Sequence, residues 1–141
     1  MKNQISFLNV GIILIIIGLS FAIYFSYSYN VQKNQQEEQF KIFLQNLQNL
    51  AISMENSYGN YYVQINVPNN VILYSNNNYL IIDYNNVNYT INFYQQVILL
   101  NNNDQPVSFL LDPGNIYIAK DNNIIYITSS SEIAENVTYN Q

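Results

Sequence analysis

Apolar and polar positions follow three successive rhythms along the chain. From Phe7 to Tyr29 (FLNVGIILIIIGLSFAIYFSYSY) the residues are largely apolar and none is charged, over 23 positions. About 20 apolar helical residues suffice to cross the hydrocarbon core of a bilayer. Ile12, Ile13, Ile15, Ile16, Ile17, Gly18, Leu19 and Ile23 are the residues expected to meet lipid or neighbouring helices. Asn9, Gly11, Gly18 and Ser20 interrupt the run, and small residues let helices approach closely. Tyr24, Phe25, Tyr27 and Tyr29 cluster at its end, where their rings suit a membrane–water interface. Lys2 is the single charge ahead of the segment and places the N-terminus in the cytoplasm, with the remainder outside. A simple single-pass anchor fits this pattern. A cleaved secretory signal is a second reading, with small residues at Ser20-Phe21-Ala22 and Ser26-Tyr27-Ser28. Against it, the apolar run is longer than the core of an ordinary signal peptide.

The second rhythm has the period of a helix. Val31 to Asn56 contains no proline or glycine. Phe40, Phe43, Leu44, Leu47, Leu50, Ala51 and Met54 recur at steps of three and one, which marks one face of a 3.6-residue helix. Ile42 and Ile52 widen the stripe, while Gln39, Lys41, Gln45, Asn46, Gln48 and Asn49 form the polar face. Glu37 and Lys41 are spaced four apart in the favourable order. No breaker separates the two segments, so the pattern predicts one helix from about Ser6 to about Glu55. Fifty helical residues extend about 75 Å. A half-apolar helix is unstable alone in water, so Phe40, Phe43, Leu44, Leu47, Leu50 and Met54 are expected to pack on the protein's own sheet. Gly59 supplies the stop by taking the left-handed conformation.

After Asn60 the period falls to two. Tyr61–Val67, Val71–Ser75, Tyr79–Tyr84, Val87–Tyr94, Gln96–Leu100, Pro106–Leu111, Asn115–Lys120 and Asn123–Ser129 read as strands rich in Val, Ile, Tyr and Phe. Asparagine pairs and triplets separate many of them. Asparagine tolerates the positive φ of tight hairpins, so it takes the place of glycine in a chain with four glycines. Seven or eight short strands at this spacing predict an antiparallel meander or a small sandwich. Residues 131–141 read as a polar tail. The expected organisation is a cytoplasmic N-terminus and hydrophobic helix (1–29), its amphipathic continuation (30–57), an extracellular β domain (58–130) and the tail. The fold class is α+β: a long N-terminal helix packed on a C-terminal antiparallel sheet or sandwich.

Composition narrows the chemistry. Only 9% of the 141 residues are charged, with four lysines, no arginine and nine carboxylates. Phosphate recognition needs clustered Lys or Arg, so no nucleic-acid face is expected. With no cysteine and no histidine, disulfides, thiolate sites, the commonest metal ligand and the usual general base are missing. Asp104, Asp112 and Asp121 sit in turns, where aspartate caps its own backbone. No spaced oxygen-ligand loop for calcium is present. Ser129, Ser130 and Ser131 lack a base, and Lys120 has no Ser-Lys context. No catalytic residue, cofactor or metal is therefore expected. The 26 asparagines and 14 tyrosines solvate the surface instead, which suits an acidic exterior where carboxylates protonate. Two N-glycosylation acceptors occur, Asn88-Tyr89-Thr90 and Asn136-Val137-Thr138, and an exposed tail favours Asn136.

A short cationic start, an apolar helix running on into an amphipathic one, and a small β domain together resemble the archaeal type IV pilin family with class III signal peptides. In that family a prepilin peptidase cuts just before the apolar segment, and the apolar helix forms the filament core. The matching residues are Lys2-Asn3 followed by Gln4-Ile5-Ser6-Phe7. The implied cut lies between Asn3 and Gln4. Leu8 stands where many pilins carry an acidic residue. The resemblance implies a pilin-like, non-enzymatic subunit of an extracellular filament, adhesive in role, whose partners are itself or other pilin subunits, the membrane and cell-wall layer proteins. The alternative is a single-pass surface protein with a β-sandwich that binds the cell-wall layer or an archaellum stator component. A virion envelope protein meets the same composition requirements.

Overall fold

The computed structural model describes residues 2–57 and 59–139, with side chains for 9–57 and 59–138. Helix α1 runs unbroken from Lys2 to Glu55, as the absence of breakers predicts. The candidate cut at Asn3 and Gln4 falls in its first turns, and the side chains of those two residues lie outside the described ones. The chain divides into two compact units at 38/39. This boundary lies within the amphipathic continuation, because residues before Phe40 take no part in the core.

In the second unit, Phe40, Phe43, Leu47, Leu50, Ala51 and Met54 are buried, and Leu44 is half-buried against them. Their cluster includes core-facing residues from both sheets: Val71, Leu73, Leu80 and Ile82 on one, Ile116, Ile118, Ile125 and Ile127 on the other. Phe40 stacks on Tyr84 with ring centroids 3.9 Å apart and meets Tyr89 edge-on at 5.0 Å. The helix stripe is thus packed on antiparallel-dominated sheets, as the periodicity predicts.

The strands are β1 (Tyr61–Asn66), β2 (Val71–Asn76), β3 (Tyr79–Tyr84), β4 (Val87–Asn92), β5 (Gln96–Leu100), β6 (Pro106–Val107), β7 (Phe109–Leu111), β8 (Asn115–Asp121) and β9 (Ile124–Thr128). One sheet has the order β1-β8-β9-β5-β6 and the other β4-β3-β2-β7. The hairpins β2–β3, β3–β4 and β8–β9 pair neighbours in sequence. The rest is not a meander. β1 pairs with β8, far away in the chain, and β5 runs parallel to β9. The expected strand Pro106–Leu111 breaks at Ser108: β6 pairs with β5, whereas β7 pairs with β2 in the other sheet.

The supposed polar tail is a helix, α2 (Ser131–Tyr139). Its buried residues are Ile133, Ala134 and Thr138. It packs mainly on β8, with further contacts to β9 and β1. Alternation along β8 puts Ile116 and Ile118 on the core face and the fully buried Ala119 on the opposite one, where a small side chain admits a helix. Ser130 caps α2: its Oγ accepts from the Ile133 N–H at 3.5 Å, and Glu132 suits the positive end of the helix dipole.

Among the described residues, asparagine supplies half of those with positive φ. Asn70, Asn77, Asn85, Asn86 and Asn122 all hold positive φ, between 50° and 63°. Both central residues of the β3–β4 hairpin, Asn85 (φ 53°) and Asn86 (φ 63°), are left-handed, as a type I′ turn demands. A β-branched residue there loses the local polar contacts that let asparagine adopt this region. Replacing Asn86 by Val is expected to lower the folding stability of the full chain in detergent by about 1–2 kcal/mol, while Asn86→Gly leaves it unchanged or raises it. The denaturant midpoint reads both.

Candidate functional site

Two regions carry the features from which function is to be read: the apolar part of α1, and the point where α1 ends inside the β domain. In the first, no charged residue occurs between Asn3 and Gln32. Ile12, Ile13, Leu14, Ile15, Ile16, Ile17, Leu19 and Ile23 are each between 47% and 70% exposed. The Ser20 hydroxyl donates to the Ile16 carbonyl at 2.8 Å, a bond made within the helix itself. Phe21, Tyr24 and Phe25 form a ring cluster at 6.0–6.4 Å. Tyr24, Tyr27 and Tyr29 are all exposed. A Cβ added at Gly11 or Gly18 would meet nothing. Seven residues is close to two helical turns, so the two glycines share one face, and Ala22 extends it one turn further. This is one helix long and apolar enough to cross a membrane, near the N-terminus.

The second region explains where the helix stops. The last carbonyls of an α-helix have no partner within it. Here side chains supply the donors. Asn56 Nδ2 donates to the Ile52 carbonyl at 3.1 Å, and Ser57 Oγ to Met54 at 3.2 Å. α1 has no basic residue in its own last turn. Lys120, from the end of β8, fills that role. It follows Ile116 and Ile118 on the core-facing side of the strand and is 4% exposed. Its Nζ donates to the Met54 carbonyl at 2.7 Å and to the Ser57 carbonyl at 2.8 Å. The ammonium thus sits at the negative end of the helix dipole and carries charge-assisted hydrogen bonds. Gly59 follows with φ 104°, the positive φ expected of it. From sequence, Lys120 is set aside as lacking a Ser-Lys context and is given no other role. The signal for its actual role was a lone cation on the apolar face of a strand.

Beside this junction the polar face of α1 and strand β1, an edge of the five-stranded sheet, enclose an open groove of about 540 Å³. Gln39, Asn46, Asn49, Gln64 and Asn66 line it with amides, and Ile42 adds an apolar wall. Asp104 and Asp112 are turn residues with positive φ, and Asp112 Oδ1 accepts from the Val71 N–H at 3.1 Å. Among the described residues no group of three or more carboxylates is placed to hold a metal. The Tyr126 phenol is pushed above its usual value of 10.0 by burial, with the negative charges of Asp121 and Asp104 adding to the shift. Of the two glycosylation acceptors, Asn88 lies exposed on β4. Asn136 lies on α2, not on a loose tail, which removes the reason for preferring it.

Lys120→Met is expected to cost about 1.5–3 kcal/mol, the range for hydrogen bonds to a charged group. Amide exchange should quicken in the last turn of α1 and stay unchanged in β2, β3 and β4. Equal quickening in all of these elements would contradict a local capping role.

No protein family, curated protein or solved structure matches the chain.

Proposed function

We propose that the chain is a non-enzymatic, pilin-like structural subunit of an extracellular archaeal filament of the type IV pilus kind, assembled through its apolar N-terminal helix. The observation that carries this reading is a single unbroken helix with two chemistries. Its first part is uncharged and exposed, and its last part is buried in a β domain. The first part suits two environments in turn. In a bilayer its side chains meet lipid. In a filament the same side chains meet those of neighbouring copies, through close packing that needs no specific polar pairs. A cut between Asn3 and Gln4 removes Lys2, so that no charged side chain remains before Lys33. That matters because a charge buried among apolar helices is costly. The shared face of Gly11, Gly18 and Ala22 offers a place for close helix approach. The β domain then faces outward, with amides and hydroxyls in place of ions, and supplies an adhesive surface.

The N-terminal peptide mass of the native protein tests this. In the fraction sheared from cells the chain is expected to begin at Gln4. A chain that keeps Lys2 and occurs only in membranes would overturn the proposal in favour of a permanent single-pass anchor.

Gly18→Leu fills the flat face without altering charge or hydropathy enough to prevent insertion. It is expected to reduce sheared filaments at least tenfold while the protein still accumulates in membranes. Immunoblots of the two fractions compare them.

A further inference from the structure

The two glycosylation acceptors are equivalent as motifs and differ in geometry. Glycan transfer uses the asparagine amide nitrogen as nucleophile, and the threonine hydroxyl two residues on must reach the same enzyme site. In β4, residues two apart share a face. Asn88 and Thr90 are both exposed, and they alternate with Tyr89 and Ile91, which face the core. Asn88 stands opposite Asp83 and Thr90 opposite Ile81 on the outer face of the four-stranded sheet. β4 is also an edge of that sheet, paired on one side by β3. The strand follows directly on the Asn85-Asn86 turn, so the acceptor sits near the end of a hairpin.

Asn136 is placed differently. On a helix, residues two apart point about 200° apart, at about 100° per residue. Asn136 is exposed, whereas Thr138 is buried. The Thr138 hydroxyl donates to the Ala134 carbonyl at 2.9 Å, and its carbonyl accepts from Asn60 Nδ2 at 2.6 Å. The hydroxyl that the transfer requires is therefore turned toward the sheet and occupied.

We propose that Asn88, and not Asn136, carries an N-linked glycan, taken from a donor in which an oligosaccharide is joined to a polyisoprenoid phosphate. The bond between the anomeric carbon and the phosphate oxygen breaks, and the lipid phosphate leaves with the electron pair. The anomeric carbon bonds to Asn88 Nδ2, which loses one proton. No electrons are exchanged with any other partner. The assignment rests on the β domain being outside the cell, as in the function proposed above.

Peptide masses of the protein isolated from its native cells test it. The peptide that contains Asn88 is expected to carry the mass of an oligosaccharide, and the peptide that contains Asn136 its sequence mass alone. Asn88→Gln and Thr90→Ala should each abolish the added mass, whereas Thr90→Ser and Asn136→Gln should keep it. All four changes fall on the hairpin edge or on an exposed helix position. A bare Asn88, or a glycan on Asn136, overturns the assignment. A second measurement separates this from a failure of topology. Asn103→Cys introduces a single, exposed thiol, to be labelled on intact cells with a membrane-impermeant maleimide. Labelling together with a bare Asn88 overturns the glycan alone. No labelling overturns both the outward β domain and the glycan.

Discussion

The burial of one helical stripe, Phe40 to Met54, is the constraint on which the β domain depends. Each sheet has an apolar face that needs cover, and the stripe contributes to a core common to both. Neither partner is stable alone: a half-apolar helix frays in water, and an uncovered sheet face invites association. The end of the stripe is fixed as firmly as its length. Lys120 holds the Met54 carbonyl at the end of α1 and the Ser57 carbonyl just beyond it from a strand far away in sequence. An ammonium in an apolar core is tolerated because those carbonyls, with the helix dipole behind them, take the place of water. The same contact ties the helix terminus to β8, and β8 lies between β1 and β9 in the five-stranded sheet.

What was legible in the sequence was local. The long helix followed from the absence of any glycine or proline between Leu19 and Asn56, which would separate the apolar segment from the amphipathic one, and its buried face from the spacing of Phe40, Phe43, Leu47, Leu50 and Met54. The strands followed from alternation, and their turns from asparagine. Long-range pairing was not legible. Nothing in Gln96–Leu100 or Ile124–Thr128 announces that they run parallel, and nothing in Tyr61–Asn66 names β8 as its partner. The break at Ser108 was hidden because Pro106–Leu111 reads as one strand until it must serve two sheets. Helix α2 was missed because its polar face outnumbers its apolar one. Ser130 followed by Glu132, with Ile133, Ala134 and Val137 on one side, was the available signal.

The candidate sites divided in the same way. The apolar residues of the first part of α1 could be named from composition, and their side chains are exposed. Lys120 could not, because its role depends on where a strand end meets a helix end. The difference between Asn88 and Asn136 likewise needed the fold: the same three-residue pattern is open on a strand and closed on a helix.

The use of asparagine in turns has a consequence for chemical ageing. Asparagine decays when the next residue's backbone nitrogen attacks its side-chain amide, and a following glycine makes that attack fastest because it offers no steric hindrance. The commonest hairpin solution, Asn-Gly, is therefore also the most perishable. No asparagine in this chain precedes a glycine. At Asn70, Asn77, Asn85, Asn86 and Asn122 the following residue is valine or another asparagine, whose Cβ crowds the attacking nitrogen. The hairpins thus obtain left-handed geometry from a residue that is prone to deamidation, while avoiding its weakest sequence context. The turns that order the sheets gain in chemical lifetime from that choice.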